Sequence, residues 1–310
     1  MWKWGKSITD VPGLIVGVAH NVEAQTGCTV ALFREGAVAG VDVRGSAPGS
    51  SEIEVIKPVR VVDKIHGILL TGGSAFGLSA TGGVIKYLEE QKIGYDVKVA
   101  RVPIVPTAVI FDLKVGSSEI RPDFEMGYEA AKNASTTHPE IGLHGVGIGA
   151  SAGGISGKDR SRGGFGTTSI KINEEITVGV MTVANPLGNV FDNKTGKVIA
   201  GNLDRNNWIL PKSGEPWIEN TVLALVATNA KLNKEEATKV AQMAQDGVAR
   251  TIIPAHTLYD GDVMFAVSTG TKECNINIIG DAAAEAVAYS IILGVSAANG
   301  IELDTTIRKL

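Results

Sequence analysis

The chain has 310 residues, 44% of them hydrophobic and 20% charged, with a net charge of −4. That composition suits a globular protein with a sizeable core. It offers neither a basic footprint for nucleic acid nor a polybasic run for an anionic membrane surface. The two cysteines, Cys28 and Cys274, make no disulfide framework and no zinc site, as expected of a reducing compartment. Residues Met1 to Ser7 lack the apolar core of a signal peptide, and no uninterrupted apolar run approaches the ~18 residues of a membrane span. The expectation is a cytoplasmic protein with no nucleic-acid or membrane partner.

In chain order, a turn at Asp10 to Gly13 leads into a short strand, Leu14 to Val18. Cys28 to Phe33 and Gly36 to Val43 read as two β runs separated by Arg34-Glu35, a hairpin pattern. Arg44 to Ser51 is a Gly/Ser/Pro loop. A strand end at Ile68 to Thr71 and a glycine turn, Gly72 to Gly77, precede a helix over Leu78 to Gln91. Pro103 and Pro106 make Val102 to Leu113 an edge or irregular segment. Asp123 to Ala134 is helical, and Gly142 to Gly166 is the most glycine-rich part of the chain. Ile170 to Ala184 is strand-like with a turn at Asn173-Glu174-Glu175, and Val190 to Asn220 is a long loop with room for one short β pair.

From Thr221 to Thr228 the chain is almost continuously apolar and rich in β-branched residues, which marks a strand buried in the middle of a sheet. Asn233 and Glu236 stand at capping-box spacing ahead of the next helix. Asp260-Gly261-Asp262 is a turn, Val263 to Ser268 another strand, and Asp281 is placed to cap a final buried helix, Ala282 to Leu293. No repeat or linker divides the chain, so one α/β domain of layered sheets and helices is expected.

Some patterns lack their context. Gly147-Ile-Gly149-Ala-Ser-Ala152 matches a dinucleotide fingerprint but leads into more glycine-rich loop instead of a helix. Gly157-Lys158-Asp159 imitates the end of a P-loop with Asp where Ser or Thr is required. The histidines show no metal-ligand spacing. His256, six residues before Asp262, is either a structural histidine or a neighbour of a site. Gly149-Ala-Ser151-Ala-Gly153 fits G-x-S-x-G without the flanking strand and helix, which leaves Ser151 as a rival nucleophile.

The Asn220-Thr221 junction carries the most chemistry. A polar loop containing Pro211, Gly214 and Pro216 feeds directly into a core strand whose first residue bears a hydroxyl. Thr is a common first strand residue and can be only that. It can also attack the preceding carbonyl through a five-membered ring and leave a free amine. That amine, with a pKa of about 7.7–8.0, is a general base for the adjacent hydroxyl.

Several stretches resemble the L-aminopeptidase/D-esterase (DmpA-type) peptidases, a family that includes hydrolases of 6-aminohexanoate (nylon) oligomers. They are Thr26 to Thr29, Gly40 to Gly45, Leu70 to Leu78, Arg101 to Pro106, Gly163 to Thr167, Ala184 to Pro186 and Asp260 to Asp262. They span most of the chain in consistent order. The resemblance implies an αββα-type sandwich of the N-terminal-nucleophile kind, shared with ornithine acetyltransferases. It implies self-cleavage into 1–220 and 221–310, and a homo-oligomer, with a tetramer as one form. It makes Thr221 the nucleophile, Asn220 the donor of the cleaved carbonyl, Asn185 the oxyanion-steadying amide, and Asp260 and Asp262 an acid pair beside the nucleophile. No cofactor is implied. A family tyrosine corresponds to Phe111 here, so its hydroxyl is absent. A family lysine corresponds to the neighbourhood of Gly154, where Lys158 is the nearby candidate. The implied activity is hydrolysis of short peptides or linear amides through an acyl-enzyme. An acyltransferase using the same Thr, or a non-catalytic binding protein on the same scaffold, are the alternatives.

Overall fold

A computed structural model of the protein describes residues 2–156, 160–202 and 220–303. Strand Thr221–Ala230 is apolar on both faces because both are buried. Val222, Ala224 and Val226 enter a core shared with two helices, whereas Leu223, Leu225 and Ala227 enter a core between two sheets.

Ten strands form the main β structure: β1 (Lys3–Gly5), β2 (Ile15–Asn21), β3 (Thr26–Val43), β4 (Ser50–Ser51), β5 (Ile65–Thr71), β6 (Thr107–Val109), β7 (Gly164–Lys171), β8 (Thr177–Asn185), β9 (Thr221–Ala230) and β10 (Val263–Lys272). Their order is β1-β7-β8-β9-β10-β3-β5-β6-β4, with β2 alongside the first half of β3. β3 belongs to two sheets: Cys28–Leu32 pairs with β5 and Val38–Val43 with β10. The sequence suggests a hairpin at Arg34-Glu35, but the chain runs through as one 18-residue strand. Its register against β5 shifts between Leu32 and Ala37, and Gly36 sits at φ +73°. Such an irregularity bends and twists a strand without ending it, so the exposed Arg34 and Glu35 mark a bend between sheets.

The two sheets face each other across Ala31, Phe33, Ile68 and Leu70 on one side and Met181, Val183, Leu223 and Phe265 on the other. Helices α1 (Ala80–Glu90) and α2 (Phe124–Lys132) cover the outside of one sheet through Val84, Leu88, Ala130 and Ala131. Helices α3 (Lys234–Ala249) and α4 (Ile276–Ala298) cover the other through Ala237, Val240, Ala244, Ala283, Val287 and Ile291. The layers are therefore αββα, as the sequence resemblance implies.

Local signals explain most boundaries. Asn233 and Glu236 form the capping box of α3, and Asp123 caps α2 by accepting from the Met126 N–H. A 3₁₀ turn over Ser74–Ser79 precedes α1, which begins at Ala80 instead of Leu78. The last helix also begins earlier than its sequence suggests. Asn275 caps it by accepting from the Asn277 N–H, and Asp281 lies exposed inside it. α4 has 23 residues and contains an 18-residue stretch of mean hydropathy 1.6, long and apolar enough to cross a membrane, but 78% of that stretch is buried within the protein. Gly166 explains part of the glycine-rich run: a Cβ there would lie 1.8 Å from the Ser290 carbonyl oxygen, so α4 rests its backbone against β7. The expected short β pair is present as Asn189–Phe191 with Val198–Ala200. Pro211, Gly214 and Pro216 lie outside the described residues.

Candidate active site

Sheet register assembles the site. β8 and β9 are antiparallel with Asn185 opposite Thr221. β9 and β10 are parallel with Leu223 beside Val263, and a bridge between Asn220 and Asp260 extends that pairing toward the strand starts. The end of one strand and the starts of two others therefore bring Asn185, Asn220-Thr221 and Asp260-Gly261-Asp262 together. Asn185, Asn220, Thr221, Asp260 and Asp262 are all buried.

The Asn220 carbonyl oxygen accepts two hydrogen bonds, from the Gly261 N–H at 2.9 Å and from the Thr221 hydroxyl at 2.5 Å. The nucleophile candidate thus sits against its own preceding carbonyl, and a backbone donor is already aimed at the oxygen that would gain charge. Gly261 is needed for this approach. A Cβ there would lie 2.6 Å from the Ala47 carbonyl oxygen and 2.9 Å from Thr221 Oγ1.

Asp262 accepts the Val222 N–H on one oxygen, at 2.6 Å, and pairs with His256 Nδ1 on the other, also at 2.6 Å. His256 is thereby part of the site. Its spacing to Asp262 was the only sequence signal, and a spacing of six says nothing of the turn that folds one onto the other. Asp260 accepts the Leu187 N–H at 3.2 Å, and the N–H and hydroxyl of Thr257 at 2.9 and 2.6 Å. Burial, and then the negative charge of Asp262, raise the Asp260 pKa to about 6, against the lowering effect of those donors.

A carboxyl raised in this way is favoured in its neutral form by the fold. Its contribution to stability is complete below the unfolded value of about 3.9 and is lost as pH rises through about 6. Asp262→Asn removes the second cause, so the Asp260 titration should move down toward the ordinary carboxylate range. Carbon-13 shifts of the side-chain carboxyl read this directly; an unmoved midpoint would leave burial as the sole cause.

Asn185 is held in one orientation. Its Oδ1 accepts both the N–H and the hydroxyl of Ser151, at 2.9 and 3.2 Å, and its Nδ2 donates to the Phe111 carbonyl oxygen at 3.2 Å. Two donors on Oδ1 fix which end of the amide is the NH2. Ser151 is therefore spent on Asn185, and its hydroxyl faces an amide oxygen in place of a general base.

Beside the junction is a cleft of about 290 Å³ lined by Ala47, Pro48, Gly49, Ser74, Ala75, Val109 and Phe111 together with Asn220 and Thr221. Its lining is small and largely apolar, with no charged side chain among those residues. Phe111 contributes a ring without a hydroxyl, as its sequence position implies. Lys158 lies outside the described residues. Among the described residues, Arg160 is a cation beside Gly154, and its Nη2 donates to Asn220 Oδ1 at 2.5 Å. Sequence reading missed it because nothing in its spacing distinguishes it from the neighbouring basic residues. Among the described residues, no group of three His, Cys, Asp or Glu side chains stands close enough to hold a metal ion.

The chain is similar to known proteins over most of its length. The model of peptidase family S58 matches residues 6–306. An uncharacterized aminopeptidase of Mycobacterium leprae is 36% identical over 336 aligned positions, covering 95% of this chain and 91% of the relative. A 6-aminohexanoate-oligomer endohydrolase of Agromyces is 31% identical, covering 84% of this chain and 74% of the relative. The solved structure of an L-aminopeptidase D-Ala-esterase/amidase from Ochrobactrum anthropi, described as a variant of the Ntn hydrolase fold, superposes with a TM-score of 0.72 at 17% identity. That match covers 93% of this chain and 85% of the other.

Proposed function

The chain belongs to peptidase family S58, and on that premise we propose that it is an amide-bond hydrolase that cuts itself between Asn220 and Thr221 and then works through Thr221 as an N-terminal nucleophile. One observation carries this: the Thr221 hydroxyl lies against the Asn220 carbonyl, whose oxygen already receives the Gly261 N–H. Attack by Oγ1 on that carbonyl carbon forms an ester and breaks the C–N bond, and the nitrogen leaves as the Thr221 α-amine. Water then opens the ester, giving the Asn220 carboxylate and restoring the hydroxyl.

In the cut protein the amine takes the Oγ1 proton as Oγ1 attacks a substrate amide. The Gly261 N–H and the Asn185 amide oppose the charge that develops on the carbonyl oxygen. The leaving amine receives the proton, an acyl ester remains on Thr221, and water releases it. Asp262, bound to the Val222 N–H, fixes the strand start that carries the amine.

The names of the relatives support short peptides and linear amide oligomers as the substrate class. Thr221 and Asn185, with Asp260, Asp262 and Lys158, are the proposed catalytic set, and the whole 310-residue chain is taken as one domain. A cytoplasmic homo-oligomer completes the proposal; the two cysteines, both free, fit a reducing compartment.

Incubation with short peptide amides and linear 6-aminohexanoate oligomers tests the activity. New primary amines should accumulate whether or not an amine acceptor is added. Acyl transfer to the acceptor without net hydrolysis would make the protein a transferase, and no turnover by correctly cut protein would make it a binding protein. Ser151→Ala is a further check. It removes one of two donors to Asn185 Oδ1, so hydrolysis should fall by no more than about tenfold. Complete loss of activity in a normally cut Ser151→Ala protein would make Ser151 the nucleophile.

A further inference from the structure

We infer that the place now filled by the Asn220 side chain becomes, after cutting, the subsite for the side chain of the substrate's acyl residue, and that Arg160 makes it select a carboxylate, then a carboxamide, over apolar and basic side chains. This rests on the proposed nucleophile. Asn220 is the first acyl residue that Thr221 attacks. A later substrate presents its carbonyl to the same Oγ1 and the same Gly261 N–H, so the side chain beside that carbonyl falls where that of Asn220 lies. Asn220 also lines the cleft, which gives the place an opening.

The chemistry at that place is specific. Asn220 is 2% exposed and its Oδ1 accepts from Arg160 Nη2 at 2.5 Å. The guanidinium rests on Gly154, where a Cβ would meet Nη2 at 2.4 Å and Nε at 2.8 Å, so the missing side chain makes room for it. Asn220 Nδ2 is buried and meets no acceptor among the described residues. A carboxylate would place an oxygen there instead, lose no hydrogen bond, and match the planar fork of the guanidinium. An ammonium would meet a like charge, and an apolar side chain would supply no acceptor. Asp262 is turned to Val222 and His256, and Asp260 to Leu187 and Thr257.

Anilides of Asp, Asn, Ala and Lys, compared on the purified wild-type protein, test this. Asp should exceed Ala in kcat/KM by about 10- to 100-fold, with Asn between them and Lys lowest. Arg160→Leu should bring Asp down to the level of Ala while leaving Ala hydrolysis in place, and Arg160→Lys should keep part of the Asp preference. Equal rates for Asp, Ala and Lys in the wild type, or an unchanged ranking in Arg160→Leu, would overturn the assignment. Should Arg160→Leu stay uncut, self-cleavage of Asn220→Asp and Asn220→Lys in the Arg160 background asks the same question. The Asp form should be cut at least about tenfold faster, and equal rates would overturn the inference. Failure of wild-type protein to hydrolyse any of the four would count against the amide hydrolase itself.

Discussion

Thr221→Ala should leave one uncut chain of 310 residues and abolish amide hydrolysis, a loss of more than about 10³-fold in kcat/KM. The side chain removed makes one described hydrogen bond, to the Asn220 carbonyl, and the residue's place opposite Asn185 is held by the backbone ladder. Alanine fits the start of a buried strand, so the variant should fold, as its melting temperature will report. Denaturing electrophoresis then separates the two consequences of losing Oγ1, the missing cut and the missing turnover. Thr221→Ser keeps the hydroxyl but loses the methyl that restricts χ1, so it should still cut and still hydrolyse, more slowly. A Thr221→Ala protein that is normally cut would require another nucleophile.

Asn185→Ala should lower kcat by about 10²- to 10³-fold with a much smaller change in KM, the signature of a lost oxyanion donor. The two Ser151 donors on Oδ1 turn the amide so that its N–H groups face away from Ser151, and strand register sets the residue directly across from Thr221. The substitution also strands the buried Ser151 N–H, at a cost of about 1–3 kcal/mol in stability. Asn185→Asp separates the two effects. It keeps an acceptor for Ser151 and loses the donors, so it should reproduce the fall in kcat. Full kcat in Asn185→Ala would leave the Gly261 N–H as the operative donor.

How much of this could be read beforehand depends on whether the cause was local. The β9 strand was legible because burial on both faces writes an unbroken apolar run, and α3 because its cap residues lie three apart. The bend in β3 was not, since Arg34 and Glu35 look alike at a turn and at an exposed point of a continuous strand. The start of α4 was misplaced for a related reason: Asn275 and Asp281 are both competent caps, and only packing decides between them. In the site, Asp260 and Asp262 were recognisable by resemblance, but their proximity to Thr221 is set by the parallel register of β9 and β10. Arg160 and His256 meet the junction through contacts that no sequence spacing encodes. Ser151 matched a nucleophile motif in letters alone, and its hydrogen bonds give it the task of orienting Asn185.

The intact mass of the purified wild-type protein, taken alongside its amidase rate, tests the central claim most directly. Two species of 220 and 90 residues, the smaller beginning with a free amine on Thr221, are the predicted result. A single 310-residue species that hydrolyses amides at full rate would contradict it.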